Sequence, residues 1–550
     1  MTKHQPKFGN FRLVINVLLL IATVAAGAAL ADRRERLIDS WQPVHFEVKI
    51  AFDKELSRLD SAVTDITVLV LKNDVSKIDL DFGKMPVSAV SVDNAPVRFV
   101  QQDGKLDVML AAPAQQGRML TISVTYSGVP EDGLILTKDK DGNPSAIGDN
   151  WADRVHNWIP CLDHPSAKAS VRFTVTAPAD DPVVANGAME SVVRNADATK
   201  TWIYNETKPI SPYNMVVVAG RFATATLNAN APVPISYYVT QSSGKFAEQA
   251  FSPAAPSVLT FSNLIAPYPY KKLALIVGAT KFGGMENANT IVFMPDFFDN
   301  FLTAKTRSRL YNIPSWNEEV IAHEIAHQWF GDSVTEKTWA DLWLSEGFAT
   351  YFAGLFLEKN EGPEVFRSYM KDKAKRYLDY EKKRRAPIYD TQTEKLFDLL
   401  NPNNYEKGAW VLHGLRGLVG DKAFFAGLRD YYELHKESTA STEDLRTSLE
   451  KSSGKDLKAY FARWVYGAGH PIYKISWKPL NDGTVQFTLR QFQQDEAFLE
   501  PVTVKIVADQ AESRFVITPQ GKETVIAIKT VVPKKVVVDP DEFILKEVVD

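Results

Sequence analysis

The sequence predicts a multidomain α+β protein in which a β-rich region, a mixed and then helical region, and a second β region follow one another. The chain has 550 residues, enough for about three or four domains of ordinary size. Alternating and β-branched segments dominate from Trp41 to Thr240, helical patterns continue to Tyr466, and alternating strands return after Gly469. The apolar share of 45% and the charged share of 24% are ordinary for a folded protein, so we expect a substantial core.

The N-terminus has the pattern of a targeting segment. Basic residues within the first twelve positions precede an apolar stretch, 13–30, and Ala29-Leu30-Ala31 offers a cleavage site before a charged run. We expect residues 1–31 to be a signal peptide and the protein to be exported, either periplasmic or extracellular. An uncleaved membrane anchor is the alternative, because the apolar stretch is nearly long enough to span a bilayer. No later segment matches it, so we expect no membrane contact after cleavage.

Residues 32–240 are predicted to form a β-rich domain. The segments 65–72, 120–126 and 170–176 are β-branched or alternating, with turn residues between them. The stretch from Asp139 to Pro144 resembles the start of an EF-hand loop. Because proline occupies the sixth position, where that loop needs glycine, a polar hairpin turn is predicted instead.

Charge and cysteine content exclude several classes of function. The net charge is −4 and the chain has no long basic run, which argues against a nucleic-acid partner. The short basic cluster 382–385 is interpreted as a solvated helix end. Cys161 is the single cysteine, so an intrachain disulfide and a multi-cysteine metal site are both excluded. Its apolar neighbours indicate a packed thiol rather than a nucleophile.

The middle region, residues 241–468, is predicted to be mixed and then helical. Leu273–Val277 and 291–294 are interpreted as buried strands, whereas Pro314-Ser315 is placed to begin a long helix and Gly331 to end it. Ser441 to Asp444 has the pattern of a capping box.

The last region, residues 469–550, is predicted to be a small β-sandwich because 484–490 and Val502–Val507 alternate. The preceding Gly467-x-Gly469 is not a phosphate-binding loop, since it follows a helix and lacks a third glycine.

The strongest functional signal is His323-Glu324-Ile-Ala-His327, followed nineteen residues later by Glu346. Positions i and i+4 share one face of a helix, so both imidazoles can bind one ion. Two histidines and a glutamate leave a fourth tetrahedral position open, which is the catalytic pattern for zinc. The Glu324 side chain lies about 100° around the helix axis from that of His323, so it can contact a metal-bound water without being a ligand. An amphipathic helix with solvated polar residues is the alternative, and Glu346 argues against it.

Three weaker motifs accompany this signal. Gly283-Gly284-Met285-Glu286-Asn287 follows a predicted strand, and glycines allow a backbone to approach a ligand closely. Tyr405-Glu406-Lys407-Gly408 lies further along the chain, and Trp158 to Pro165 lies in the N-terminal β region. Each of them alone is also typical of turns or packing.

Together and in this order, these motifs resemble the zinc aminopeptidases related to aminopeptidase N and leukotriene hydrolase, the gluzincin metallopeptidases. The resemblance covers nearly the whole mature chain and is most specific from Phe282 to Gly408. It implies a saddle-like β domain over 32–240, a thermolysin-like catalytic domain over 241–468 and a β-sandwich over 469–550. A helical C-terminal domain usually comes last in that family, and we expect it to be missing here.

The resemblance also implies a role for each motif residue. One zinc ion would be bound by His323, His327 and Glu346. Glu324 would be the general base, and Tyr405 would donate a hydrogen bond to the tetrahedral oxyanion. Peptides with a free N-terminus would be the substrates, and the residues that bind them would be Glu286, at the α-amine, with Phe282, Gly283, Gly284 and Met285.

Two positions depart from the family pattern. Trp151 stands where many relatives place Gln or Glu as a second contact to the amine, so anchoring of the amine would depend more on Glu286. Asp332 stands where Asn is common, which leaves its supporting role open.

An exported zinc aminopeptidase is therefore the main hypothesis. The alternatives are a zinc endopeptidase of the thermolysin type, which would not need Glu286, and a relative that binds peptides without cleaving them. The second alternative would be expected to have lost Glu324, a ligand or Tyr405. An epoxide hydrolase, by analogy with leukotriene hydrolase, would need a carboxylate clamp that relatives carry on the helical domain. Neither the oligomeric state nor the preferred N-terminal residue follows from the sequence.

Overall fold

A computed structural model describes residues 35–227, 230–312, 314–509 and 511–549. The expected signal peptide and its cleavage site at Ala31 lie outside the described residues. Among the described residues, none of the helices has the length and apolar character needed to cross a membrane.

The N-terminal region consists of three sheets that share one core. One sheet has the strand order β13-β14-β11-β1-β2-β8-β4-β5, the second β3-β7-β6 and the third β12-β15-β10-β9. The strands are β1 Trp41–Phe52, β2 Leu59–Val70, β3 Val75–Asp81, β4 Val87–Val92, β5 Ala95–Pro96, β6 Phe99–Gln102, β7 Lys105–Ala114, β8 Met119–Gly128, β9 Leu134–Lys138, β10 Pro144–Gly148, β11 Ala169–Pro178, β12 Val183–Ala185, β13 Ala188–Arg194, β14 Thr199–Ile210 and β15 Val217–Gly220.

The alternation seen in the sequence builds this core. In β2 from Ala62 onward, and throughout β11, every second side chain is buried, as the period of a strand requires. The predicted polar turn connects β9 to β10: the Asp139 amide donates to the Asn143 carbonyl at 2.8 Å, and Asp139 Oδ1 accepts from two backbone amides of the turn. Cys161 is fully buried, as its neighbours predict.

The middle region combines a sheet of order β16-β17-β18-β20-β19 with packed helices. Strands β17, β18 and β20 run parallel, and β21 pairs with β22. The elements are β16 Phe222–Thr226, β17 Ile235–Thr240, α1 Gly244–Ala250, α2 Ala254–Leu264, β18 Leu273–Val277, β19 Gly284–Met285, β20 Thr290–Phe293, α3 Phe297–Thr303, α4 Ser315–His327, β21 Val334–Glu336, α5 Trp343–Asn360, α6 Pro363–Glu381, α7 Gly408–Val419, α8 Asp421–His435, β22 Ser438–Ala440, α9 Thr442–Ser453 and α10 Lys458–Trp464.

The sheet pairing bears on where this region begins. Strands β16 and β17 precede residue 241, yet β17 is hydrogen-bonded to β18 of the central sheet. Grouped by sheet, residues 222–240 therefore belong with the middle region rather than with the N-terminal sheets.

Helix α4 begins at Ser315 as predicted but ends at His327, four residues before the expected stop at Gly331. Gly331 instead has a φ of 127° in the turn that follows, where its amide donates to the Val334 carbonyl. The prediction of the end point was wrong because a positive-φ glycine also serves tight turns beyond a helix. The capping box of α9 is confirmed, with Ser441 and Asp444 bonded reciprocally.

The last region is a pair of small sheets, of order β27-β24-β23-β29 and β26-β25-β28. Val485, Phe487 and Ile506 form a buried cluster between them, as expected for a sandwich. The strands are β23 Ile472–Pro479, β24 Val485–Gln491, β25 Val502–Val507, β26 Glu512–Ile517, β27 Glu523–Ile528, β28 Lys535–Val538 and β29 Glu547–Val548. The predicted multidomain α+β fold is thereby confirmed.

Candidate active site

Three predicted metal ligands converge at the junction of α4 and α5. His323 and His327 lie one turn apart on α4, and Glu346 lies in the first turn of α5. The Nε2 atoms of the two histidines are 3.1 Å apart, and Glu346 Oε2 lies 3.3 Å from His323 Nε2 and 3.4 Å from His327 Nε2. Two packed helices thus bring three donor atoms to one point.

The chemistry of these donors fits zinc. His327 Nδ1 lies 3.1 Å from the Phe330 carbonyl oxygen, which can only accept a hydrogen bond. The Nδ1–H therefore donates outward, and Nε2 keeps its lone pair for a metal. Two imidazole nitrogens and one carboxylate, with both His327 and Glu346 buried, form the three-ligand set of catalytic zinc sites.

Glu324 lies beside the metal donors without joining them. The backbone of β19 approaches its carboxylate so closely that a Cβ on Gly284 would lie 2.3 Å from Glu324 Cδ. Burial raises the pKa of Glu324 well above its usual range, and the nearby His327 acts to lower it. A residue other than glycine at position 284 would push the carboxylate from this place.

Glu286 enters the same space from the end of β19. Glu286, Glu324 and His327 each direct one polar atom to a point where these atoms lie within 4.8 Å of one another. The Gln328 side chain donates to the Glu286 carbonyl at 2.8 Å, which fixes the backbone there. Burial raises the pKa of Glu286 to about 7. A bound cation, such as an ammonium group, would favour its ionised form.

Tyr405 completes the cluster from a π-helical turn, Asn403–Lys407, directly before α7. Its ring stacks on His323, with centroids 6.0 Å apart and planes at 6°. Burial and the neighbouring Glu346 carboxylate raise the pKa of Tyr405 well above 10. The phenol therefore remains protonated at neutral pH and can donate a hydrogen bond.

The chain matches two models of one peptidase family. Residues 257–464 match the model of the peptidase family M1 domain, and residues 42–214 match that of the peptidase M1 N-terminal domain. The chain belongs to peptidase family M1.

Relatives of this M1 chain include two curated aminopeptidases. "Probable aminopeptidase 2" of Sulfurisphaera tokodaii is 27% identical over 78% of this chain and 55% of its own length. "Aminopeptidase 2, mitochondrial" of Saccharomyces cerevisiae is 29% identical over 83% of this chain and 49% of its own. The chain thus spans about half the length of the curated relatives it matches.

A crystal structure of an M1 zinc metallopeptidase from Deinococcus radiodurans has the same fold. It aligns with a TM-score of 0.66 and 24% sequence identity, covering 80% of this chain and 97% of the other. The likeness shows that the two chains share the M1 architecture.

The metal donors, Glu286, Glu324 and Tyr405 of this M1 chain line one cavity of about 280 Å³. Every predicted site residue reaches it: the three metal donors, Glu324, Tyr405, and the segment from Phe282 to Glu286. Sequence reasoning missed several other lining residues, which are Trp316, Glu319, Val320, Thr350, Lys373, Arg376, Leu400 and Glu406. Helical spacing from His323 could have identified Glu319 and Val320, whereas no local signal marks Lys373 or Arg376, which α6 brings in.

Asp332 has a supporting role that its sequence position left open. Its two carboxylate oxygens accept from the Gln328 amide at 2.8 Å and from the Asn214 amide at 2.6 Å. Because the Gln328 side chain also donates to the Glu286 carbonyl, Asp332 links the end of α4 to the segment after β19 and to the N-terminal region. Both side-chain amides donate, and each of the two carboxylate oxygens of Asp332 accepts one of these hydrogen bonds.

Proposed function

We propose that this chain is an exported, zinc-dependent aminopeptidase that removes N-terminal residues from peptides and uses one zinc ion. The observation that carries this proposal is the position of Glu286, whose carboxylate lies within 4.8 Å of the polar atoms of Glu324 and His327. A carboxylate beside the hydrolytic centre can hold the substrate's α-ammonium, which limits cleavage to the first peptide bond. The aminopeptidases among its relatives support the same reading.

His323, His327 and Glu346 would hold the zinc ion, which would supply a Lewis acid that lowers the pKa of water to about 7. Glu324 would take a proton from the attacking water, because its carboxylate lies next to the donor cluster. Glu286 would hold the α-ammonium through a charge-assisted hydrogen bond and align the scissile carbonyl. Tyr405 would donate to the oxygen on which negative charge develops, an effect of about 3–4 kcal/mol per well-placed donor.

The hydrolytic part of the proposal is tested with a panel of aminoacyl chromogenic substrates. We expect the purified protein to cleave some of them, to lose this activity with a chelator, and to recover it when zinc is added back. Metal analysis should give one zinc per chain. Activity that survives complete removal of metal would contradict the proposal, and so would a panel in which no free aminoacyl substrate is cleaved.

Export is a separate part of the proposal and rests on residues 1–31. Mass spectrometry of the mature protein should show Asp32 as its first residue. A full-length form retained in membranes would instead establish an uncleaved anchor.

A further inference from the structure

Trp151 and Phe282 line the cavity, and Phe397 packs against both rings; we call these three residues the aromatic wall. Trp151 packs edge-to-face on both phenylalanines, with centroids 6.0 Å from Phe282 and 5.8 Å from Phe397. The two phenylalanine rings are stacked 5.8 Å apart at 19°. Trp151 is only 2% exposed and is held from behind by Trp339, 5.7 Å away. The wall is thus a packed surface rather than a set of mobile side chains.

The aromatic wall lies next to the group that would hold the substrate amine. Phe282 directly precedes the segment that ends at Glu286, and Phe282, Met285 and Trp151 all line the cavity. Charged residues lie on other elements around the cavity, where Lys373 pairs with Glu319. A residue with its amine at Glu286 would therefore place its side chain against the aromatic wall.

The carboxylates behind this wall are already paired. Arg154 contacts Asp132 at 2.7 Å and Asp149 at 3.0 Å, and Lys281 contacts Asp132 at 2.7 Å. Neither carboxylate is free for a cation on the substrate. A buried cation without a partner is strongly disfavoured, so this arrangement works against a basic side chain.

The two phenylalanines of the wall are contacted by cations of the chain itself. The Arg154 guanidinium lies 5.8 Å from the Phe282 centroid and 5.5 Å from that of Phe397, and the Lys281 ammonium lies 6.0 Å from the latter. The cation–π positions at these rings are therefore filled by Arg154 and Lys281.

Trp151 offers no acceptor either. An indole has one N–H donor and no acceptor, and Trp151 Nε1 is buried without a hydrogen-bond partner in the part of the chain that the structure describes. A glutamate or glutamine at this position would present an oxygen, whereas the tryptophan presents hydrocarbon. Tryptophan at this position thus provides no hydrogen-bond acceptor and adds apolar surface.

We propose that the aromatic wall makes this M1 chain selective for a large, uncharged, apolar N-terminal residue and that it rejects lysine and arginine there. The inference rests on the proposed aminopeptidase function, because Glu286 must hold the amine for the first side chain to meet the wall. Trp151, Phe282 and Phe397 are then specificity-determining residues, with Arg154 and Lys281 closing off the acceptors.

Norleucine and lysine substrates test this selectivity directly, because their side chains differ essentially by the terminal ammonium. With the zinc-loaded full chain, we expect kcat/KM for the norleucine substrate to exceed that for the lysine substrate by about 100-fold or more. A ratio below about 3-fold would overturn the inference.

Removing a cation that closes off an acceptor should relax the selectivity. Lys281 is 44% exposed and contacts Asp132 Oδ2, whereas Arg154 contacts Oδ1, so Lys281→Met frees one carboxylate oxygen and should raise the relative rate on lysine by about 10-fold. Lys451→Met, which removes an exposed ion pair with Asp430, is the matched control and should leave the ratio unchanged. An unchanged ratio in Lys281→Met, with folding verified by circular dichroism, would contradict the role of the wall.

Binding separates this inference from the proposed function. If no aminoacyl substrate is cleaved, calorimetry with norleucinamide and lysinamide still reports on the wall. Preferential binding of norleucinamide would support the inference although the proposed function had failed. Equal binding of both amides, or no binding of either, would overturn it.

Discussion

The two sides of the cavity are built in different ways. The side proposed to hold the metal, or metal side, takes His323, His327 and Glu346 from two helices that follow one another in the chain. The side proposed to hold the substrate amine, or amine side, combines Trp151 of the N-terminal region with the segment 282–286, which contains β19. One side is local in sequence, whereas the other is assembled by tertiary packing.

This difference indicates that the metal donors are fixed by local structure, whereas the amine side can vary with tertiary packing. The helical period alone sets the spacing of the two histidines, so this part of the site is lost only if one of the histidines is replaced. The shape of the amine side depends on how the N-terminal region, β19 and α6 pack around the cavity. We therefore expect changes on the metal side to abolish the reaction and changes on the amine side to alter its rate and selectivity.

The largest effect is expected for Glu324→Gln. The variant keeps all three metal donors but cannot accept a proton, so kcat should fall by about 100- to 10,000-fold with zinc content unchanged. Steady-state kinetics and metal analysis on the same preparation check this. If the variant keeps more than about a tenth of the wild-type kcat, Glu324 is not the general base.

Tyr405→Phe should have the next largest effect. It removes one hydrogen-bond donor and retains the ring that stacks on His323, so kcat should fall by about 100- to 1,000-fold while KM changes little. A kinetic comparison at saturating substrate checks this. A rise in KM alone would assign Tyr405 to ground-state binding instead.

Two adjacent glycines, Gly283 directly before β19 and Gly284 within it, provide a matched pair of test positions. A Cβ on Gly284 would lie 2.3 Å from Glu324 Cδ, whereas the nearest atom to a Cβ on Gly283 is 3.8 Å away, on Trp316. Gly284→Ala should therefore displace the carboxylate and lower kcat by about 10- to 100-fold. Gly283→Ala should stay within about threefold of wild type, and equal losses in both variants would contradict the close approach at Gly284.

The smallest effect concerns Lys407, which anchors the turn that carries Tyr405. Lys407 is fully buried, and burial lowers its pKa to about 7 although Glu381 opposes the shift. Since the pKa in the unfolded chain is about 10.4, the folded state binds this proton more weakly. Folding stability should then rise as pH increases from about 7 to 10 and level off below 7.

Lys407→Met removes the titrating group and should flatten this profile. Between pH 7 and pH 9 the free energy of unfolding should rise by about 2 kcal/mol more in wild type than in the variant. Urea unfolding at several pH values measures it. Parallel profiles for the two proteins would mean that Lys407 titrates as it does in the unfolded chain.

The sequence predicted the parts of the molecule that depend on local rules. Leu273–Val277 and Val502–Val507 are strands with the predicted bounds, and the ligand helix begins at Ser315 as expected. The predicted end at Gly331 was wrong because a glycine marks a positive φ without stating which turn uses it.

The remaining parts of the site depend on distant packing. Lys373 and Arg376 reach the cavity only because α6 packs against α5 and the π-helical turn, and no spacing in the sequence encodes that packing. The surroundings of Trp151 could not be predicted either, since Phe282, Trp339 and Phe397 reach it from distant parts of the chain. Trp151 could be identified as a departure from the family pattern, but its packing partners could not.

The central claim is that Glu286 makes the cavity an aminopeptidase site. The most direct test compares a peptide that has a free N-terminus with its acetylated form, in wild type and in Glu286→Ala, at equal zinc content. We predict that acetylation lowers kcat/KM of wild type by about 100-fold or more, and that Glu286→Ala raises KM, lowers kcat and responds much less to acetylation. Equal wild-type rates on the two peptides would contradict the account and favour a zinc endopeptidase.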